Sequence, residues 1–392
     1  MKILLIHCHY RLPGGEDAVF AAERALLERR GHTVLVYERS NEEAAHGLAK
    51  ALLPLHAVWN RRAAREVCDL MPAGGGRGRA YPTTRSCCSA PPWSAPPSAA
   101  ACRSCRRCTI SGCSVPTASC CGTAPSARIA PRRGLHCALQ HRCYRGSLAQ
   151  TLVVAASYRL HRALGSWRGV WVTTPTEFDR EKLLAFNRLR PTFDESRLVV
   201  KPNPVNVPAG PVIPWEERDR RFVFAGRLEE LKGLRTVIEA WRLLGDTAPE
   251  LLIAGDGPLA DWARAQALPR VRFLGQLERA ELHRLIGASY AVIAASLCYE
   301  SFALVPAEAH ALGTPVLASR IGNVGASVRP GFDGLCFAPG DAAALAGAVR
   351  ALRAMQFDCA AIAAATRRRF SEEENYRTLM KLYGRRAAEE SL

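Results

Sequence analysis

Short apolar runs alternate along most of the chain with stretches whose apolar residues return at helical spacing. Residues 1–7 read as a buried strand, 17–30 as an amphipathic helix ended by Gly31, and 33–37 as the next strand. The pattern resumes with a helix over 148–164, a strand and helix start over 170–178, and a strand from Leu198 that runs into a Pro-rich linker through Pro214. Beyond the linker it predicts strands at 221–225, 250–254, 271–274, 290–296 and 315–319, with helices at 233–243, 258–267 and 279–287 between them. A turn and short strand at 331–337 and a helix at 341–355 follow. Ser371-Glu372-Glu373-Glu374 is a capping box that opens a helix to about Tyr383. Strands alternating with helices define an α/β chain whose parallel sheets carry helices on both faces.

One unit carries more chemistry than the rest. Pro306 is tolerated only in the first helical turn, so the helix after strand 290–296 begins near Phe302 to Val305, with Glu300 on the loop that enters it and Glu308 inside. The free amides of Ser301 to Leu304 then open toward the carboxyl end of the strand, where an anion is the natural occupant. Two carboxylates eight residues apart fit a ligand with both phosphate and hydroxyl groups; the spacing alone fits two solvated helix-end acids at least as well. Near the N-terminus, Gly14 and Gly15 precede a helix, which suits either a close backbone approach to a ligand or a plain tight turn.

The stretch from Glu300 to Glu308 resembles the Glu-x7-Glu motif of the retaining glycosyltransferases of family 4. The likeness extends to Gly226-Arg227-Leu228-Glu229-Glu230-Leu231-Lys232-Gly233, similar to the family's Gly-Arg-Leu-x3-Lys-Gly, and to Ala254-Gly255-Asp256-Gly257-Pro258. Pro13-Gly14-Gly15-Glu16-Asp17 resembles a loop in a bacterial subgroup of the same family. Several motifs in family order are more specific than any one of them. The resemblance covers about residues 1–71 and 134–392 and implies a GT-B fold, two facing Rossmann-like domains with parallel sheets. It assigns 1–205 to an N-terminal acceptor-side domain, 206–370 to a nucleotide-sugar-binding domain, and 371–392 to a helix returning to the first domain.

The activity implied is transfer of a sugar, with retained anomeric configuration, from a nucleotide-diphosphate-sugar to a glycan or lipid-linked acceptor in cell-surface polysaccharide biosynthesis. Arg227 and Lys232 match the family's diphosphate-binding pair, one offering a fork of donors and the other a point charge. Glu308 would accept hydrogen bonds from ribose hydroxyls, Glu300 would be the catalytic carboxylate at the donor sugar, and the amides of Phe302, Ala303 and Leu304 would complete the phosphate site. Gly14 and Gly15 lie in the loop that faces donor or acceptor. The resemblance implies no metal, no cofactor and no nucleic acid, and a cytoplasmic location with peripheral association at the inner membrane surface. Three positions depart from the pattern. Ser301 and Ala303 stand where glycine is frequent, Ala326 stands where an acid is common, and the first domain's histidine at the donor sugar is absent.

Composition changes the picture at one place. The 392-residue chain carries a formal charge of +17, which ordinarily points to nucleic acid, an anionic membrane surface or acidic ligands. Residues 72–133 hold nine arginines, nine prolines and eight of the fifteen cysteines, with no Asp, Glu, Lys, Leu, Phe, His, Asn or Gln, and without them the charge falls to +8. Lacking leucine and periodicity, this segment is expected to supply no core strand or helix and to be disordered. Cys102, Cys105 and Cys108 have no partner pair at finger or ribbon spacing and are not read as a metal site. The N-terminal apolar run is too short for a signal peptide, no segment reaches the length of a membrane span, and a reducing compartment without disulfides is the default.

The genetic code offers an account of the segment. Joining the last base of one codon to the first two of the next turns Cys120-Cys121 into leucine and Cys108-Thr109 into His or Tyr, and it permits a Val-Pro-Val-Val strand pattern after Ala101. The missing histidine thus falls at a codon junction. A reading of another class follows: a catalytically silent out-of-frame product, or a protein whose basic, cysteine-rich insert contacts an anionic polymer or membrane. Sequencing the coding DNA tests the frame account; compensating insertions and deletions around residues 72–133 are expected, and an unbroken frame overturns it.

Overall fold

Strand β1 (Lys2–His9) forms because Ile3, Leu4, Leu5 and Ile6 are apolar on both of its faces, and all four are buried. The computed structural model describes residues 1–9, 15–40, 65–67, 69–70, 80–85, 109–111, 135–142, 146–167, 169–208 and 210–389. They divide into two units, Met1–Asn203 with Asn375–Leu392, and Pro204–Glu374. In the first unit, helix α1 (Gly15–Arg29) stops at Gly31, whose φ of +78° costs glycine nothing. The N–H groups of Gly31 and His32 return to the carbonyls of Glu28 and Leu27 at 3.0 and 3.1 Å, closing the helix end. Strand β2 (Thr33–Ser40) then pairs with β1 in parallel.

Next come β3 (Ala80–Arg85), β4 (Thr109–Ser111), α2 (Leu135–Gln140), α3 (Leu148–Ala163), β5 (Trp171–Thr174), α4 (Glu177–Leu189) and β6 (Leu198–Val200). Ser147 and Thr176 cap α3 and α4 by accepting from the amides of Gln150 and Asp179. The sheet order is β2-β1-β3-β4-β5-β6, and every pairing is parallel.

The expectation that residues 72–133 supply no core strand is therefore corrected at β3 and β4, which lie between β1 and β5. A parallel ladder is made by backbone groups, which an apolar pattern reports only indirectly. Tyr81, Thr83 and Thr84 suit a strand, and Pro82, opposite Leu4, removes one donor without ending the pairing.

The second unit is laid down as β7 (Asp219–Ala225), α5 (Leu234–Leu244), β8 (Glu250–Ala254), α6 (Ala260–Arg264), β9 (Val271–Gly275), α7 (Arg279–Ala288) and β10 (Ser289–Ala294). Then follow α8 (Leu304–Ala311), β11 (Val316–Ser319), α9 (Gly322–Ala326), β12 (Gly334–Phe337), α10 (Ala342–Arg353) and α11 (Cys359–Arg369). Its parallel sheet runs β12-β11-β10-β7-β8-β9, the doubly wound order in which the winding reverses between β7 and β10. Both faces are buried. Phe222 and Phe224 of β7 enter one core with Trp241 and Leu251, while Val223 between them enters the other with Leu252 and Val292.

The last helix, α12 (Glu372–Glu389), opens with Ser371 accepting from the amide of Glu374 at 3.1 Å. Leu379 and Tyr383 of α12 are fully buried with Ile3, Leu5, Phe20 and Leu27 of the first unit.

α8 is buried along most of its length, and it carries a titratable group into the core. His310, 4 % exposed, donates from Nε2 to the Asp333 carbonyl at 2.9 Å, and burial holds its pKa below the ordinary 6.5. The folded state therefore keeps His310 neutral. As pH falls below 6.5 the unfolded chain takes up the proton first, so this contribution to stability is present above that value and is lost on acidification. Thermal unfolding followed against pH is expected to show a steeper acid loss for the parent chain than for His310→Gln; identical slopes contradict this.

Candidate functional site

Two loops meet at the carboxyl ends of β7 and β10, where the sheet order reverses. The first, after β7, runs through Gly226, Arg227 and Lys232 to Gly233. Gly226 has φ +141°, and a Cβ on neighbouring Gly255 would lie 1.9 Å from the Gly226 carbonyl oxygen, so this loop and the one after β8 touch backbone to backbone. Leu228 N–H donates to Asp256 at 2.9 Å, and Leu259 N–H returns to Leu228 at 2.9 Å. Gly233, at φ +74°, sits against β10: a Cβ there would lie 2.0 Å from the Ala295 carbonyl oxygen. These glycines set how closely the loops approach.

The second loop, residues 295–303, leaves β10 and enters α8. Leu297 N–H donates to the Leu231 carbonyl at 2.8 Å, which ties the two loops together. Asn323 of α9 holds the bend, donating from Nδ2 to the carbonyls of Glu300 at 2.7 Å and Ser301 at 2.9 Å. Ser319 of β11 donates to the Ser296 carbonyl at 2.7 Å. Ser296 in turn donates its hydroxyl to Glu300 Oε1.

Lys232 Nζ lies 2.9 Å from the same Glu300 oxygen, in a pair whose side chains are 32 % and 18 % exposed. Glu308, on α8, is more enclosed. Its Oε1 lies 2.7 Å from Arg279 Nη2 and 3.5 Å from His283 Nε2, both one turn apart on α7. Both carboxylates thus spend Oε1 on protein partners, and neither Oε2 has a partner among the described residues. Arg227 is half exposed, with Nε 3.5 Å from Glu229 Oε2.

The amides before α8 divide. Those of Phe302 and Ala303 have no acceptor among the described residues. Leu304 N–H, expected to be open, instead donates to the Phe302 carbonyl at 2.9 Å. Ala303, at φ −78° and ψ 81°, adopts an inverse γ-turn, and that turn directs the next amide back into the loop. With this φ the position does not call for glycine, and the methyl of Ala303 is buried.

Of the residues singled out by sequence, Lys232 and Glu300 are brought into contact, Glu308 faces its own partners on α7, and Arg227 pairs locally. Gly14 lies outside the described residues, and Gly15 is the first residue of α1. Sequence reasoning missed Ser296, Asn323, Arg279 and His283. Arg279 and His283 share a helix face at (i, i+4) spacing, but nothing local in the sequence ties that face to a carboxylate on another helix.

Solved structures share this architecture. The chain is similar to the crystal structure of a glycosyltransferase from Rickettsia africae, with a TM-score of 0.65 at 18 % identity over 97 % of each chain. It is also similar to Anabaena Alr3699/HepE in complex with UDP, with a TM-score of 0.56 at 16 % identity over 98 % of this chain and 100 % of that one. These are likenesses of fold, and the fold is GT-B: α/β, with Rossmann-like parallel sheets. Residues 219–355 match the family model described as Glycosyl transferases group 1. By sequence the chain is 38 % identical over 165 residues to a glycogen synthase of Mycobacterium tuberculosis, a match covering 40 % of either protein. The chain spans about two fifths of the length of the curated relatives it matches.

Two glycines provide a contrast that tests how this site is held. Gly233→Ala is expected to destabilise the second unit by at least about 1–3 kcal/mol, since it adds positive-φ strain to a clash with the Ala295 backbone. Gly347→Ala, in α10 with nothing within 4 Å, is expected to stabilise by about 1 kcal/mol. Hydrogen exchange of the β7 and β10 amides measures both, and equal effects would contradict the geometry.

Proposed function

We propose that the chain is a retaining glycosyltransferase of family 4, of the subgroup with the Pro-Gly-Gly-Glu-Asp loop. In this reading it moves a sugar from a nucleoside-diphosphate donor to a glycan or lipid-linked acceptor in cell-surface polysaccharide assembly. The observation that carries the proposal is the pair of half-anchored carboxylates, Glu300 and Glu308, at the reversal of the sheet order beside Lys232 and two amides that have no acceptor among the described residues. This is where an open α/β sheet takes a ligand. The site lies inside the segment that matches the glycosyl transferases group 1 model.

The chemistry follows from these groups. The bond from the sugar's anomeric carbon to the outer phosphate breaks, and the new bond to the acceptor oxygen forms on the same face. The departing phosphate oxygen accepts the acceptor's proton. Lys232 and the amides of Phe302 and Ala303 would meet the charge that builds on the phosphate, and Arg227 would swing from Glu229 onto the diphosphate. Oε2 of Glu308 would accept from ribose hydroxyls, and Oε2 of Glu300 from the donor sugar.

A cytoplasmic chain resting on the inner membrane surface is part of the same proposal. No helix among the described residues is long and apolar enough to cross a membrane. α3 exposes Leu148, Leu152 and Leu160 near Arg159 and Arg162, which suits contact with an anionic lipid surface.

Calorimetry on the full chain with UDP, GDP and ADP tests the site. UDP is the first choice because the structurally similar Anabaena protein was crystallised with it. Arg227→Ala is expected to weaken binding by about 1.5–3 kcal/mol and Glu308→Gln by less, since only the first removes a charge-assisted phosphate contact. No heat with any of the three nucleotides, or equal losses in the two variants, contradicts the assignment.

A further inference from the structure

The carboxyl end of β1 carries two histidines, His7 and His9, two residues apart, so both imidazoles leave the same face of the strand. α1 brings Asp17, in its first turns, between them. Asp17 Oδ1 lies 2.9 Å from His7 Nε2 and 2.9 Å from His9 Nδ1. The two rings stand at 88° with centroids 4.7 Å apart, so their nitrogens reach one point from different directions. Phe20, one turn further along α1, stacks on His7 at 4.5 Å and 13° and fixes that ring, whose side chain is fully buried. On the far side of His9, Glu38 of β2 places Oε1 3.3 Å from Nε2. The donor atoms of His7, His9 and Asp17 all lie within 4.8 Å of one another.

Each ring nitrogen of His9 faces a carboxylate, Asp17 at Nδ1 and Glu38 at Nε2. A metal ion at Nδ1 suits this setting: the ring gives its lone pair to the metal and its Nε2–H to Glu38. This is the carboxylate–histidine–metal arrangement that orients a ligating ring.

We propose that His7 Nε2, His9 Nδ1 and Asp17 bind a borderline divalent metal of the Zn2+ or Co2+ type, with Glu38 as the acceptor that orients His9. Two imidazoles and one carboxylate favour such ions over Mg2+ or Ca2+, which take oxygen ligands. Metal bonds of about 2.0–2.1 Å set tetrahedral donor separations near 3.3 Å, so the atoms now at 2.9 Å need to part by only about 0.4 Å. Three protein donors leave a fourth position for water or a ligand oxygen. β1 is flanked by β2 and β3 where the first sheet reverses its winding, so the site lies at an edge where such sheets take ligands. The proposal does not rest on the transferase reading.

Titration of the EDTA-treated full chain with Co2+, followed by its visible ligand-field absorption, is the test. One equivalent with a nitrogen and oxygen spectrum is expected. His9→Ala and Asp17→Asn should abolish that equivalent, and Glu38→Gln should weaken it about 10- to 100-fold. His7 is left intact because its ring is part of the core. The fifteen cysteines also take Co2+, but with a thiolate charge-transfer band in the near ultraviolet. A chain that binds only with that band, or an equivalent that survives unchanged in the three variants, overturns the proposal. Should one variant fail to fold, as judged by circular dichroism, the parent spectrum and the remaining variants decide.

Discussion

The reversal of winding between β7 and β10 is the constraint on which the second unit's candidate site depends. The chain leaves β7 toward β8 and leaves β10 toward β11, so neither connection roofs the gap between the two strand ends. That gap stays open only if the loops on its two sides are held at a fixed separation. Backbone contact does this: Leu297 bonds Leu231 at 2.8 Å, and Gly233 lies so close to Ala295 that no side chain fits between them. Lys232 and Glu300 meet because the residues beside them cannot move apart.

Electrostatics then divides each carboxylate in two. Glu300 is held through one oxygen by Lys232 and Ser296, and Glu308 through one oxygen by Arg279, with His283 close by. The anchored oxygen fixes the side chain, so the other oxygen is held in one place at little further cost in entropy. Asn323 and Ser319 act one step further out by holding the backbone of the loop and of β10's end. In the first unit His7, His9 and Asp17 follow the same logic, with strand-end side chains gathered by the first turns of the next helix and steadied by Phe20 and Glu38.

The sequence made the α/β class and the strands of the second unit legible, because strands buried on both faces read as apolar runs between helical periods, as at Phe222 to Phe224 and Tyr290 to Ile293. Pro306 located the start of α8 by excluding it from any later turn. Other features left weaker traces. α11 is an alanine-rich stretch without clear periodicity, and its signal is Asp358, which caps it by accepting from Ala361 at 2.9 Å. β3 and β4 were hidden because their place in the sheet comes from backbone pairing with neighbours. Within the site, Lys232, Glu300 and Glu308 were visible as motif positions, whereas Arg279 and His283 meet Glu308 only through the packing of α7 on α8. The inward turn of the Leu304 amide depends on one backbone angle at Ala303, which no residue type dictates.

A crystal structure of the chain with UDP bound addresses the central claim most directly. The account predicts the outer phosphate within hydrogen-bond reach of Lys232 Nζ and the amides of Phe302 and Ala303, with the ribose on Oε2 of Glu308. UDP seated elsewhere, with the Lys232–Glu300 pair undisturbed, would contradict it.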